Sequence, residues 1–300
     1  MTAFFPALIS VALMVLLGAI AGRTLSLEVH TLSQLSVYIL APALVADGLY
    51  RNHLSLHSAF GLLAGFTLIS LILYLVLWGL GQILKLPPLT RKSLLATTLL
   101  PNNGNLGLPL LAFTLGEDGL QRAIIYMIGS SILLFGILPA LLAGHSIRSG
   151  LTLTLKLPLM WAIAGGLGLQ VWHLKLPANL EVTLNQLGQA AIPIALIILG
   201  LQLTRTRFGL GRHELGATAL KLLLAPLIAY GVGILLHLQA IDLQVLILQT
   251  AMPTAVNTVV LVTEFGGDAI KVARTVVSST LASLITLPFL LWATTQMVAH

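Results

Sequence analysis

"LLPNNGNLGLPLL", residues 99–111, places two prolines, two glycines and three asparagines inside a run apolar enough to enter lipid. Pro101 removes a helix hydrogen bond and crowds the preceding turn, while Gly104 and Gly107 let the backbone unwind. Backbone groups freed in this way cannot face hydrocarbon, at roughly several kcal/mol each, so they must face protein or a water-filled cavity. Asn102, Asn103 and Asn105 suit that setting, because an amide offers donors and acceptors without a charge. Beyond such a break a new half-helix begins, and its N-terminus carries free N–H groups and about half a positive charge, a seat for an anion.

The rest of the chain makes the bilayer the natural frame. Of 300 residues, 57% are hydrophobic and 8% charged, with a mean hydropathy of +1.01, whereas soluble domains carry about 25% charged residues. Apolar runs of roughly 17–25 residues are long enough to cross the hydrocarbon. Ten runs of about this length or slightly more occur, near 3–22, 31–50, 58–84, 93–114, 121–143, 157–174, 183–203, 213–238, 243–263 and 270–297. Connections between them are short, the longest lying around "GHSIRSGLTLTLK", so no soluble domain is expected. The fold class is therefore an all-α membrane protein of ten transmembrane helices, with broken helices 4 and 9.

Basic residues set the orientation. Connections after odd-numbered spans hold eleven (Arg23; Lys85, Arg91, Lys92; Arg148, Lys156; Arg205, Arg207, Arg212; Lys271, Arg274), against Arg51, Arg122 and Lys175 after even-numbered ones. Odd connections are thus expected in the cytoplasm and both termini outside the inner membrane. The first run has no basic residue before it and Arg23 after it, which reads as a retained span rather than a cleaved signal. The net charge of +6 is mostly this topology signal, and no basic face with interleaved aromatics supports nucleic-acid binding.

The chain also resembles itself at an offset near 150 residues. "SQLSVYILAPALVADGL" (33–49) falls on "NQLGQAAIPIALIILGL" (185–201), and "TLLPNNGN" (98–105) on "TAMPTAVN" (250–257), matching Pro101 to Pro253 and Asn105 to Asn257. "SSILLFGILPALL" (130–142) lies over "SSTLASLITLPFLL" (278–291) within one residue. Two five-span halves, 1–150 and 151–300, follow. An odd span count makes the second half enter the membrane inverted, and inverted repeats with matched broken helices mark secondary transporters. The second break, "QTAMPTAVNTVV" (249–260), adds Gln249, Pro253, Thr254 and Asn257 to the candidate substrate site.

"LPNNGNLGLPLL", "AMPTAVNTVVLVTEFGGD" and the final "LPFLL" resemble the auxin efflux carrier family, whose bacterial members are relatives of the plant PIN auxin exporters. The resemblance spans the whole chain and is densest at 98–119 and 249–268. It implies a scaffold domain of spans 1, 2, 6 and 7 and a transport domain of spans 3–5 and 8–10. It also implies that spans 4 and 9 cross at their breaks, where a substrate carboxylate sits, and that the scaffold forms a homodimer. By motif position Pro101, Asn102 and Pro253 match the family's crossover residues. The chain lacks the long loop that plant members insert between spans 5 and 6, and a span 1 carboxylate found in some of them.

Ionisable residues within spans are costly and tend to mark function. Asp47 and Arg51 share a helix face near the outer end of span 2, and their half-repeat counterparts are Ile198 or Leu199 and Leu203. By the family resemblance this pair lines the cavity beside the substrate; otherwise it is an ion pair at a helix end. Lys221, about two turns into span 8, is expected to reach the cytoplasmic interface. Glu117, Asp118, Glu264 and Asp268 are expected to be solvated. His53 and His57 have a metal-like spacing but no third ligand nearby, so neither metal nor cofactor is expected.

The leading expectation is a secondary transporter exporting small organic anions, auxin-like or other carboxylates, by alternating access and driven by membrane potential. Its partners are the substrate anion and the lipid bilayer. A sodium- or proton-coupled symporter of the bile-acid type is the alternative; span 9 offers oxygens from Gln249, Thr254 and Asn257 but no acid before Glu264. A membrane ligand sensor is a third reading. No His-Glu-x-x-His or Gly-x-Ser-x-Gly pattern argues for an enzyme.

Overall fold

A computed structural model describes residues 4–51, 54–143, 154–205, 209–238 and 240–298. His53, Arg148, Arg207 and most of the expected 144–156 connection lie outside the described residues. Those described are helical throughout their ordered elements: α1 (Phe4–Thr24), α2 (Val29–Tyr50), α3 (Leu56–Ile83), α4 (Pro88–Leu99), α5 (Leu108–Ile132), α6 (Leu138–Ala143), α7 (Pro158–Val171), α8 (Ala178–Arg205), α9 (Arg212–Leu235), α10 (Ala240–Thr250), α11 (Asn257–Phe265) and α12 (Ala269–Val298). Among the described residues no strand forms, and one isolated antiparallel bridge joins Pro101 to Thr254.

Five of these helices, α2, α3, α8, α9 and α12, are long and apolar enough to cross a membrane, while α1, α7 and α10 supply shorter apolar stretches. Large apolar side chains such as Leu17, Leu71, Leu75, Trp161 and Ile285 point outward, a pattern suited to hydrocarbon rather than water. The protein is a multi-pass membrane protein.

Proline writes the local irregularities. Four π turns, Ser36–Leu40, Asn103–Gly107, Leu133–Ile137 and Leu220–Leu224, each end two residues before a proline: Pro42, Pro109, Pro139 and Pro226. A proline has no N–H for the carbonyl four residues back and its ring collides with that carbonyl; widening the preceding turn relieves the clash without ending the helix. Gly116 breaks α5 differently. Its φ of 66° and ψ of −154° turn the chain sharply, so the helix is two segments meeting at a position suited to glycine.

The described residues fall into two compact units. The first comprises those within Met1–Ser55, Gly104–Ile124 and Thr152–Arg205. Here α1 lies along α8, and α2 packs against α7 and α8. Gly18 and Gly200 set the first contact: a Cβ on Gly18 would strike the Ile197 carbonyl, and one on Gly200 the Val15 carbonyl. Small residues are the means of close helix packing where lipid tails leave little hydrophobic drive between helices. Gly188 plays the same part for α2, with a Cβ there only 3.0 Å from the Leu44 Cα.

The second unit comprises those within Leu56–Asn103, Ile125–Leu151 and Thr206–His300. Leu62, Phe66, Ile69, Leu73 and Leu77 recur every three to four residues and form the buried stripe of α3, which contacts α4, α9 and α10. The Phe66 ring meets Tyr126 edge-on at 5.1 Å, and the Tyr126 hydroxyl shares a 2.9 Å hydrogen bond with Thr250. Helix α12 brings buried hydroxyls: Ser278 pairs with Thr218 on α9, and Thr294 accepts from Gln244 on α10.

Candidate functional site

Residues 99–103 of the first broken stretch and the whole of the second lie in the second unit, and there they pair. The Asn102 N–H donates to the Pro253 carbonyl (2.7 Å) and the Ala255 N–H donates to the Leu100 carbonyl (2.9 Å), closing the antiparallel bridge. Each break leaves carbonyls that a continuous helix would satisfy. Pro101 cannot serve Thr97, and the Thr254 hydroxyl donates to the Thr97 carbonyl instead (2.8 Å). Asn102 has turned to Pro253, so the Thr98 carbonyl loses its partner at i+4; the Lys221 ammonium donates to it (3.0 Å). The Thr254 N–H in turn donates to Ser279 on α12 (3.1 Å). Two irregular, buried segments are thus held by each other, by α9 and by α12, with side-chain donors replacing the missing amides.

Three buried polar atoms beside this pairing have no hydrogen-bond partner among the described residues: Thr98 Oγ1, Asn102 Nδ2 and Thr258 Oγ1. Each belongs to a residue at most four positions from Pro101 or Thr254. Asn102 is 4% exposed and Thr98 and Thr258 are fully buried, so each unmet group carries the full cost of desolvation.

The other expected site residues sort by what they already hold. Asn103 is buried and its amide donates to Ser130 (2.6 Å), anchoring the π turn to the far part of α5. Asn105 is half-buried in the same π turn and falls within the first unit. Gln249 and Pro253 are buried, and Asn257 is exposed at the first residue of α11. Thr254 is fully buried with its hydroxyl proton committed to Thr97.

Asp47 and Arg51 belong to the first unit, where they tie α2 to α8. Arg51 Nε donates to Asp47 (2.9 Å), Asn185 Nδ2 donates to the other Asp47 oxygen (2.9 Å), and Arg51 also pairs with Glu181 (2.9 Å). The Asp47 hydrogen bond is the main reason the guanidinium holds its proton more tightly than usual, outweighing partial burial.

Two expectations are corrected. Lys221 does not extend to an interface; it is 1% exposed and turned inward onto α4. Asp268 is not simply solvated: its carboxylate accepts the Lys271 N–H (3.1 Å) at the start of α12 and pairs with the Lys271 ammonium (3.4 Å). Its N–H donates to Ser93 on α4 (2.7 Å). The Lys271 hydrogen bond is the chief cause holding its carboxyl below the usual range. Sequence reasoning did not find Thr98, Thr258, Ser279, Glu181 or Asn185, since small polar residues carry little signal until the fold shows what they face.

The chain matches the family described as membrane transport protein over residues 3–150 and 145–291. It belongs to the auxin efflux carrier family. An uncharacterized transporter of Methanothermobacter thermautotrophicus is 30% identical across 95% of this chain and 96% of its own length. One of Methanocaldococcus jannaschii, MJ1031, is 27% identical over 70% of this chain and 71% of its own length. The Escherichia coli transporter YfdV matches 49% of this chain and 46% of itself at 29% identity. The protein is a membrane transporter of this family.

Proposed function

We propose that the protein exports small organic anions, carboxylates above all, by alternating access, with the paired breaks of the second unit as the substrate seat. The observation that carries this reading is the set of buried, unpartnered groups at the breaks: the Asn102 amide and the Thr98 and Thr258 hydroxyls. A carboxylate accepts hydrogen bonds from such donors and needs no lysine or arginine to do so when half-helix N-termini add their partial positive charge. Asn257, at the head of α11, adds a further amide of the same unit. The ten apolar runs then act as ten crossings in two inverted halves, with spans 1, 2, 6 and 7 as scaffold and spans 3–5 and 8–10 as the moving part.

Membrane potential suffices as the driving force. Moving one negative charge outward across an inside-negative membrane releases about 2.3 kcal/mol per 100 mV. The breaks supply donors for an anion and no acid for a coupled cation, which favours uniport over sodium or proton symport. Asp47 and Arg51 enter this reading as a fixed network of the scaffold.

The test is a panel of carboxylates on protein reconstituted in proteoliposomes, with potential set by potassium and valinomycin. Saturable flux that reverses with potential and persists without sodium or a pH gradient is expected. Asn102→Ala and Asn257→Ala should each weaken transport or binding by a few-fold to about a hundredfold, as loss of an individual amide contact implies. Wild-type transport in both variants refutes the seat; flux that stops without a cation gradient refutes the uniport.

A further inference from the structure

We propose that the Lys221 ammonium is a resident cation, tethered where a coupled carrier would bind a mobile one, and that it makes this transporter independent of sodium. The π turn Leu220–Leu224, the widened turn that precedes Pro226, carries Lys221. From it the side chain reaches α4 and donates to the Thr98 carbonyl at 3.0 Å. Lys221 is 1% exposed, and no carboxylate lies within ion-pair distance of it among the described residues. Its one hydrogen-bonding partner there is a backbone carbonyl in the last turn of a broken half-helix, the end that carries partial negative charge.

That is the chemistry by which cation-coupled carriers hold sodium: unwound carbonyls and half-helix C-termini at a break coordinate the ion. Here four of the carbonyls at the two breaks have donors. Thr97 accepts from the Thr254 hydroxyl, Thr98 from Lys221, Leu100 from the Ala255 N–H and Pro253 from the Asn102 N–H. An ordinary buried lysine lies against a carboxylate. One placed on a helix-end carbonyl compensates that end's charge, and does so permanently because it is covalently attached. The same placement explains why the chain departs from snorkelling at this position, since the stem turns inward rather than toward the nearest interface.

This inference rests on the carrier reading only for its transport arm; its first test needs no substrate. Thermal unfolding of the purified protein is followed by tryptophan fluorescence in sodium, ammonium or choline chloride at equal ionic strength. Wild type should melt at the same temperature in all three. Lys221→Ala opens the Thr98 carbonyl, so it should melt lower in choline and recover by several degrees in ammonium or sodium. In proteoliposomes its flux, reduced at least tenfold, should be restored in part by millimolar ammonium. Lys221→Gln keeps a donor for Thr98 without the charge, and should fold yet transport at least tenfold more slowly. Selective stabilisation of wild type by sodium, indifference of Lys221→Ala to the cation, or full transport by Lys221→Gln would each overturn the proposal. Should neither variant be recovered folded, the wild-type comparison of sodium with choline decides it alone. Cation-selective rescue without flux of any carboxylate would uphold the resident cation and sink the substrate assignment instead.

Discussion

Replacing Thr254 by valine removes one hydroxyl and changes little else, and the structure says what that hydroxyl does. It donates to the Thr97 carbonyl, whose partner at i+4 would be Pro101, a residue with no N–H. Thr97 and Thr254 are both fully buried, so water does not replace the lost bond. A buried carbonyl stripped of its donor costs about 1–3 kcal/mol. With roughly 2–4 °C of melting temperature per kcal/mol in a chain of comparable size, Thr254→Val should melt about 2–12 °C below wild type. Thr254→Ser keeps the donor and should stay close to wild type. The decisive arm is the cycle with Pro101→Ala. An amide restored at position 101 offers Thr97 its own helical donor, so Thr254→Val should cost less in that background, with coupling of about 1 kcal/mol. Equal cost in both backgrounds, or equal damage from serine and valine, would refute the idea that Thr254 stands in for the amide Pro101 lacks.

Asp47→Asn should alter transport rate or affinity while leaving the charge moved per substrate unchanged; a changed charge ratio in reversal-potential measurements would make Asp47 a coupling residue. For topology, a cysteine introduced at the exposed Ser55 should react with an impermeant thiol reagent on intact cells. One at Ser149, outside the described residues, should be shielded, and the opposite pattern would overturn the assignment from eleven basic residues against three. The Asp268 carboxyl has its pKa lowered in the folded protein, chiefly by the Lys271 hydrogen bond. Its contribution to stability is therefore present above the unfolded carboxylate pKa of about 4 and lost as pH falls through the lower folded value. The melting difference between wild type and Asp268→Asn should accordingly hold steady above about pH 5 and shrink on acidification, and a difference that grows toward acid would contradict the cap.

What could be read from the sequence was whatever covalent chemistry forces locally. Pro101 and Pro253 announced breaks because a missing N–H acts wherever the chain folds, and both breaks are present. The π turns before Pro42, Pro109, Pro139 and Pro226 follow from the same cause, yet hydropathy passes through them without change, so the runs of residues 31–50 and 213–238 looked uniform. Span limits suffered for a related reason. Helix α4 starts at Pro88, earlier than the apolar run begins, because "PLTRKS" is polar but helical, with proline at its first helical position. Gly116 likewise gave no sign of its left-handed turn, since a glycine in an apolar stretch is equally a packing residue, as Gly18 and Gly200 are.

The site was legible as a set of residue types and illegible as a set of bonds. Nothing in "NNGN" distinguishes Asn103, whose amide is spent on Ser130, from Asn102, whose amide nitrogen meets no partner among the described residues. The difference is made by a serine 27 residues away. Lys221 shows the same limit at longer range. Snorkelling assumes that the nearest relief for a buried ammonium is the interface, which holds when every carbonyl around it is bonded within its helix. A break changes that premise by exposing a buried acceptor, 123 residues back in the chain. The proline that frees the Thr97 carbonyl, the asparagine that turns away from Thr98 and the lysine that answers it are therefore one energetic unit. Sequence alone presents them as a kink, a polar residue and a stray charge. A reading that treats a lysine beside a predicted helix break as the partner of that break's carbonyls would have placed it correctly.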